Sequence, residues 1–197
     1  VRSDGTYVGP AGIAAPTAAP TLADGGAGAI PAASFKGVYT YYNANTGMES
    51  NPSPVSNTLA LGASKKIDWS GIAVSTNAQV TSRRIYRTLP DQSGEYFLVA
   101  EIANYFATTY TGDNTLAQDL DISVSQVNGQ PPSGLLFGTL FKERLFASDG
   151  QLLYHSEDGL AEAFDPDAFI PFFPDDGHEI RALHAYGDRL VVGKTNA

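Results

Sequence analysis

The sequence predicts an all-β protein, an antiparallel β-sandwich followed by separate β-hairpins. Three observations carry this expectation. Residues 83–111, RRIYRTLPDQSGEYFLVAEIANYFATTYT, hold Ile85, Tyr86, Tyr96, Phe97, Leu98, Val99 and Ile102 in short blocks cut by turn residues, and no helix period fits them. About seven such strands follow one another at close spacing with turns between them, the pattern of a sandwich. Charged residues make up only 17% of the chain, and Gly, Thr, Ser, Asn, Ala and Pro take their place, a composition that suits strands and loops.

The 197 residues allow one large domain or two small ones, and 43% apolar content is enough for a core. The net charge of −9, from 21 acidic and 12 basic side chains, repels phosphate backbones, so no specific nucleic-acid binding is expected. Arg83, Arg84 and Arg87 are the densest basic cluster and read as a solvated or interface face. With no cysteine there are no disulfides, zinc-thiolate sites or thiol nucleophiles. No apolar run reaches the length of a membrane span, and no signal-peptide pattern opens the chain. A start at Val1 and an end in VVGKTNA lead to the expectation that this is a piece of a longer chain.

In chain order, residues 1–33 form an Ala/Gly/Pro-rich lead with few bulky side chains. It cannot fold alone and reads either as a flexible linker or as an extended arm that docks on a partner; if ordered, it is ordered by its own domain or by a neighbouring subunit, and its removal is expected to leave the sandwich folded. Phe35 to Asn43 begins the sandwich, with Phe35, Gly37, Tyr39 and Tyr41 on one face and Val38, Thr40 and Tyr42 on the other. Pro52 and Pro54 mark an edge or crossover. Val55 to Leu61 alternates, with Val55, Leu59 and Leu61 inward and Ser56, Thr58 and Ala60 outward. Lys66 to Trp69 is the next strand. A three-stranded meander then runs through Arg84 to Thr88, Glu95 to Ile102 and Thr108 to Thr111, with Pro90, Asp91, Ser93 and Gly94 at its first turn. Trp69 and Tyr86 are expected in the core.

The order of an aromatic strand, Gly47, Glu49, Ser50, Asn51, Pro52, Ser53 and Pro54, then Ile85, Tyr86, Arg87 and Thr88, then Leu98, Val99, Ala100 and Ile102, then Thr109, Tyr110, Thr111 and Asp113, resembles the fibronectin-like domains of tailed-bacteriophage virion proteins. The resemblance covers roughly residues 34–114 and implies a fibronectin-III/Ig-like fold and loop chemistry rather than a reaction.

Residues 34–121 are therefore assigned to the sandwich and residues 122–134, ending in Gly-Gln-Pro-Pro-Ser-Gly, to a linker. In 135–197, Arg144 to Ser148 and Gln151 to Ser156 are joined by Asp149-Gly150, a strong hairpin signal. A loop rich in Phe, Pro and Asp spans 160–178, and Glu179 to Ala185 and Asp188 to Gly193 form another pair. Lys142-Glu143-Arg144-Leu145-Phe146 is echoed by Gly187-Asp188-Arg189-Leu190-Val191, a spacing that fits one β-propeller blade. This segment is similar to the opening of the propeller in tail-tube and nozzle proteins of short-tailed phages, which implies an incomplete propeller with exposed edges.

Few residues look chemical. His155, Ser156 and Asp158 are adjacent in the text, yet neighbours in a strand point to opposite faces, and there is no G-x-S-x-G elbow. His178-Glu179 lacks the second histidine of a zinc motif, since position 182 is Ala, and His184 shares a metal with His178 only if folding joins them. Asp165, Asp167, Asp175 and Asp176 lack the calcium-loop pattern and read as solvated acids. Gly25-Gly26-Ala27-Gly28 is no phosphate cradle, because no Lys-Ser/Thr follows. Tyr39, Tyr41, Tyr42, Trp69, Phe172 and Phe173 serve either a sandwich core or sugar stacking. No enzyme activity, metal or cofactor is expected. Phe169, Ile170, Phe172 and Phe173, flanked by Pro171 and Pro174, are the candidate interface unless they plug their own core.

The expected function is structural: a virion component of the neck, nozzle or tail, acting in assembly and in the DNA conduit. It would be a homo-oligomeric ring contacting portal, adaptor or tail proteins. The alternative is a carbohydrate- or receptor-binding module of a phage or bacterial surface protein.

Overall fold

The computed structural model describes residues 2–3, 8–9, 11–165, 167–173 and 176–195. Every regular element among them is a strand, and none of them forms a helix long and apolar enough to cross a membrane. A short pair, β1 (Arg2–Ser3) with β2 (Val8–Gly9), comes first. The rest divides into a compact unit over Ile13–Gln126 and a second unit made of residues 11–12 and the chain from Val127 onward.

The first unit contains β3 (Thr21–Ile30), β4 (Ala33–Phe35), β5 (Gly37–Asn43), β6 (Met48–Glu49), β7 (Leu59–Leu61), β8 (Lys65–Ser70), β9 (Ser82–Arg87), β10 (Phe97–Ala103), β11 (Tyr110–Asp113) and β12 (Asp119–Ser123). One antiparallel sheet has the order β12-β10-β9-β5-β6, a second the order β11-β8-β3, and β4 pairs with β7. Leu22 and Ile30 from β3, Phe35, Tyr39 from β5, Leu61, Ile67 and Trp69 from β8, and Ile85 from β9 fill the space between the sheets. Trp69 is 1% exposed and Tyr86 is fully buried, as their place in the sequence predicts. Gly37 makes room for this indole, because a Cβ there would lie 2.1 Å from Trp69 Cη2.

The five-stranded sheet is covered on its other face too. Val38, Tyr86 and Tyr96 pack there with Leu98, Ile122 and Val124. Strand β9 is therefore buried on both sides, which is why its sequence does not alternate. A bulge in β10 between Leu98 and Ala100 turns Val99, Ala100 and Ile102 to the main core while Leu98 faces Tyr86.

Several expectations need correction. Residues 13–33 are neither a flexible linker nor an arm on a neighbour but are ordered by their own domain: Thr21–Ile30 pairs along β8, and Ile13, Leu22 and Ile30 are core residues. Small residues suit this strand, since Asp68 closes against Gly25 and Lys65 against Gly28. The meander breaks after β10. Strand β11 crosses to pair with β8, and Asn104 fixes the corner by bonding Ser75 and Val80. Linker 122–134 shrinks at both ends, because Ile122 and Ser123 belong to β12, Val124 N donates to Tyr96 O, and Gly129 bridges Phe164. Val55 is 46% exposed, while Ser56, expected outside, is buried.

That last reversal has a structural reason. Ser50, Ser53 and Ser56 recur every third residue along the open edge of β5. Their amides donate to the carbonyls of Tyr41, Tyr39 and Gly37 at 2.8–2.9 Å. Their hydroxyls accept from the amides of the same three residues at 2.9–3.1 Å and donate to the carbonyls of Asn51, Pro54 and Asn57. A side-chain oxygen thus stands in for a strand carbonyl, and Pro52 and Pro54 fall where no donor is needed. Thr88 repeats the device against Lys36, and Ser156 against Leu145.

The arginines of β9 do not form a solvated face. Arg87 Nη1 lies 3.1 Å from Asp113 Oδ1, and neither side chain is more than 1% exposed. The contact is an ion pair without the alignment of a hydrogen bond. Trp69 Nε1 donates to Asp113 Oδ2 at 3.0 Å, and Arg87 Nη2 donates to Thr115 O at 3.2 Å. Burial pushes the Asp113 carboxyl up, and the Arg87 charge and the Trp69 N–H pull it back. Arg83, also fully buried, donates to the carbonyls of Ile72 and Ala103, both at 2.8 Å. Arg84 is clamped by Glu49 and Glu101, each at 3.0 Å, and lies over the Tyr42 ring. Tyr86 and Thr40 donate to the same Glu49 carboxylate.

The second unit contains β13 (Phe137–Phe141), β14 (Arg144–Ser148), β15 (Leu152–His155), β16 (Phe169–Pro171), β17 (Ile180–Tyr186) and β18 (Arg189–Lys194). The first four form an up-and-down sheet in chain order, and β17 pairs with β18. The predicted Asp149-Gly150 turn is present: Gly150 has φ +104°, and Asp149 Oδ1 accepts from the amides of Gln151 and Leu152. The loop expected over 160–178 supplies one strand, β16, and the buried pair Ala163 and Phe164.

Two outcomes follow. Asp113→Ala leaves a buried guanidinium unpaired and is expected to cost about 3–5 kcal/mol in urea unfolding. Adding Arg87→Met should recover part of that loss, and a double variant as unstable as the sum would contradict the pairing. Removing residues 1–33 takes Ile13, Leu22 and Ile30 from the core, side chains worth about 1.5–3 kcal/mol each when fully buried. The truncated chain should lose the near-ultraviolet dichroism of Trp69, and a native spectrum would return these residues to the role of an arm.

Candidate interaction surface

The candidate interface sits at the edge of the four-stranded sheet in the second unit. Strand β16 pairs with β15 through Leu153↔Ile170 and Tyr154↔Phe169. Phe169 and Ile170 are each 42% exposed and Phe173 is 68% exposed, while Phe172 is half-buried. Tyr154 supports Phe169 edge-on at 6.2 Å, and the Phe172 and Phe173 rings meet at 5.1 Å, nearly perpendicular. The side chains that fill the neighbouring core are Leu153, Ala163, Phe164 and Ile180. Pro174 lies outside the described residues.

Phe173 has φ +50°, a conformation that costs a bulky residue about 1–2 kcal/mol. Lys194, near the end of β18, holds it. Its ammonium donates to Phe172 O at 3.0 Å, to Phe173 O at 2.8 Å and to Asp176 Oδ1 at 2.7 Å. The Lys194 hydrogen bond, then the His178 amide, hold the Asp176 carboxyl below its ordinary value. The sequence reading missed Lys194, because the contact joins residues 18 to 22 positions apart.

The other candidates are placed as follows. Ser156 is buried, its hydroxyl accepting from Leu145 N and donating to Glu157 O, so it is a ladder partner and not half of a dyad with His155. Asp158 lies 3.9 Å from Arg144. Asp165 accepts from Asp167 N, Asp176 is engaged by Lys194, and Asp175 is outside the described residues. Among the described residues no three His, Asp or Glu side chains converge as metal ligands, His178 and His184 included. Tyr39 and Trp69 are buried, and Tyr41 and Tyr42 are half-buried. The aromatic surface of the first unit lies elsewhere, at Tyr105 and Phe106 beyond β10, which are 73% and 97% exposed.

No protein-family model matches the chain, and no curated protein matches it.

The Lys194 clamp predicts a pH response. Because the folded-state pKa of Asp176 lies below its ordinary 3.8, its contribution is present above that value and is lost as pH falls through the folded pKa. Amide shifts of Phe172 and Phe173 should stay constant from pH 7 to about 4 and move only below 3.8. In Lys194→Met that transition should move up toward 3.8, and an unchanged midpoint would dissociate the clamp from the loop.

Proposed function

We propose that this chain is a structural, non-enzymatic component of a tailed-phage particle, placed in the neck, nozzle or tail, where copies assemble as a ring around the DNA path. The observation that carries the reading is the apolar edge of Phe169, Ile170 and Phe173, left substantially exposed beside a sheet that fills its own core with other residues. Exposed apolar side chains held on a fixed backbone suit a permanent protein contact. Lys194 fixes this backbone through the carbonyls of Phe172 and Phe173.

Further support comes from the fibronectin-like motifs of residues 34–114 and from the blade-like order of β13 to β16. A net charge of −9 keeps passing DNA from adhering to a conduit wall. Exposed Tyr105 and Phe106 favour a second reading, a receptor- or carbohydrate-binding module, since aromatic rings on a loop can stack on sugars.

Particles produced from the genome that encodes this chain test the choice. The structural reading expects several copies per purified particle, immunogold label at the neck or tail, and loss of incorporation in the triple variant Phe169→Ser, Ile170→Ser and Phe173→Ser with its dichroism unchanged. Absence from purified particles, together with glycan binding abolished by Tyr105→Ala and Phe106→Ala, would favour the binding module.

A further inference from the structure

We infer that the open edge of β18 receives one more antiparallel strand, supplied by an extended segment with the chemistry of Leu152–Asp158: a short run of apolar and aromatic residues, then a hydroxyl residue, then acids. The argument comes from an internal repeat of register. In the first hairpin Phe141 faces Arg144, Thr139 faces Phe146 and Phe137 faces Ser148. In the second, Tyr186 faces Arg189, His184 faces Val191 and Ala182 faces Gly193. Both strands carry the same shift of 45 residues, from Phe141 to Tyr186 and from Arg144 to Arg189. Leu190 and Val192 therefore hold the places of Leu145 and Ala147.

In the first hairpin those places are occupied from outside. Leu145 N donates to Ser156 Oγ at 2.9 Å, Ser156 N returns a bond to Leu145 O at 2.9 Å, and Ala147 faces Tyr154 in register. Arg144 completes the join, donating to Ser156 O at 2.9 Å with Asp158 3.9 Å away. Under this cover Ala147 is 3% exposed and Ser148 fully buried.

The second hairpin has the same strand without the cover. Among the described residues, sheet order leaves β18 with β17 on one side and an open edge on the other. Val192 and Gly193 are only half-buried. The Arg189 side chain is 83% exposed, with the adjacent Asp188 at 3.9 Å. Alternation in the ladder points the backbone of Leu190 and Val192 outward, as it does for Leu145 and Ala147. A cation at the start of the edge favours a partner with an acid and carbonyl oxygens there, as Arg144 has.

The β16 edge is unsuited to the same role. Pro171 has no donor, and Phe169 N is turned back to Asp167 O. No proline interrupts Arg189–Lys194, so strand addition belongs at β18. The inference stands on the repeat and not on the particle reading, so failure of one leaves the other standing.

The test is amide hydrogen exchange of the ¹⁵N-labelled full chain with a synthetic peptide of the sequence QLLYHSED at millimolar concentration. Exchange at Leu190 and Val192 should slow by about tenfold, in the range expected when edge amides become paired. A peptide with alanine in place of its serine and aspartate, or the exposed-site variant Arg189→Ala in the chain, should lose most of that effect. Unchanged exchange, equal slowing by a scrambled peptide, or protection that rises with chain concentration without peptide would overturn the inference, the last by making a second copy the occupant.

Discussion

The sandwich depends on one buried ion pair. Arg87 comes from the five-stranded sheet and Asp113 from the three-stranded one, and the two meet at 3.1 Å out of reach of water. Trp69, whose ring fills the space over Gly37, spends its only polar atom on the same carboxylate. A carboxylate left without a partner in such a place is costly, so the pair disfavours arrangements in which the sheets slide or β11 stays with β10. This accounts for the crossing of β11: pairing with β8 puts Asp113 where Arg87 needs it.

A second constraint runs along the edges. A sheet edge exposes donors and acceptors that must be satisfied. Here serines and threonines satisfy them by offering an amide and a hydroxyl to the same residue. Ser50, Ser53 and Ser56 close β5 in this way, and Ser156 closes part of β14. The segment after β6 thus covers a sheet without being a strand, and its prolines are compatible with that role. The same accounting separates the edges of the second unit, because β16 is shielded by Pro171 and β18 is not.

Exposed apolar surface is distributed unevenly. The first unit buries or half-buries its other aromatic residues, and leaves Tyr105 and Phe106 out on one loop. The second unit exposes Leu136, Leu140, Phe169, Ile170, Phe173, Tyr186 and Val191. Packing inside that unit uses smaller or more distant residues, such as Ala147 and Phe164. A run of Phe and Ile in the sequence therefore did not decide between plug and contact surface, since either use requires the same side chains.

By itself the sequence determined the class of structure, the main strands and the Asp149-Gly150 hairpin, because alternation and turn chemistry are local. It also determined the echo between the two hairpins, which is a matter of spacing, and the burial of Trp69 and Tyr86. Tertiary structure alone decided the rest. The small residues of Thr21–Ile30 look like linker until β8 lies beside them, since their value is close approach rather than side-chain area. Three arginines along one strand look solvated until Asp113, Glu49, Glu101 and two carbonyls arrive from distant segments. Lys194 gains its role only when β18 comes next to the loop at Phe172 and Phe173. Burial, charge pairing and edge satisfaction are properties of what surrounds a residue, and those surroundings come from parts of the chain that local pattern does not connect.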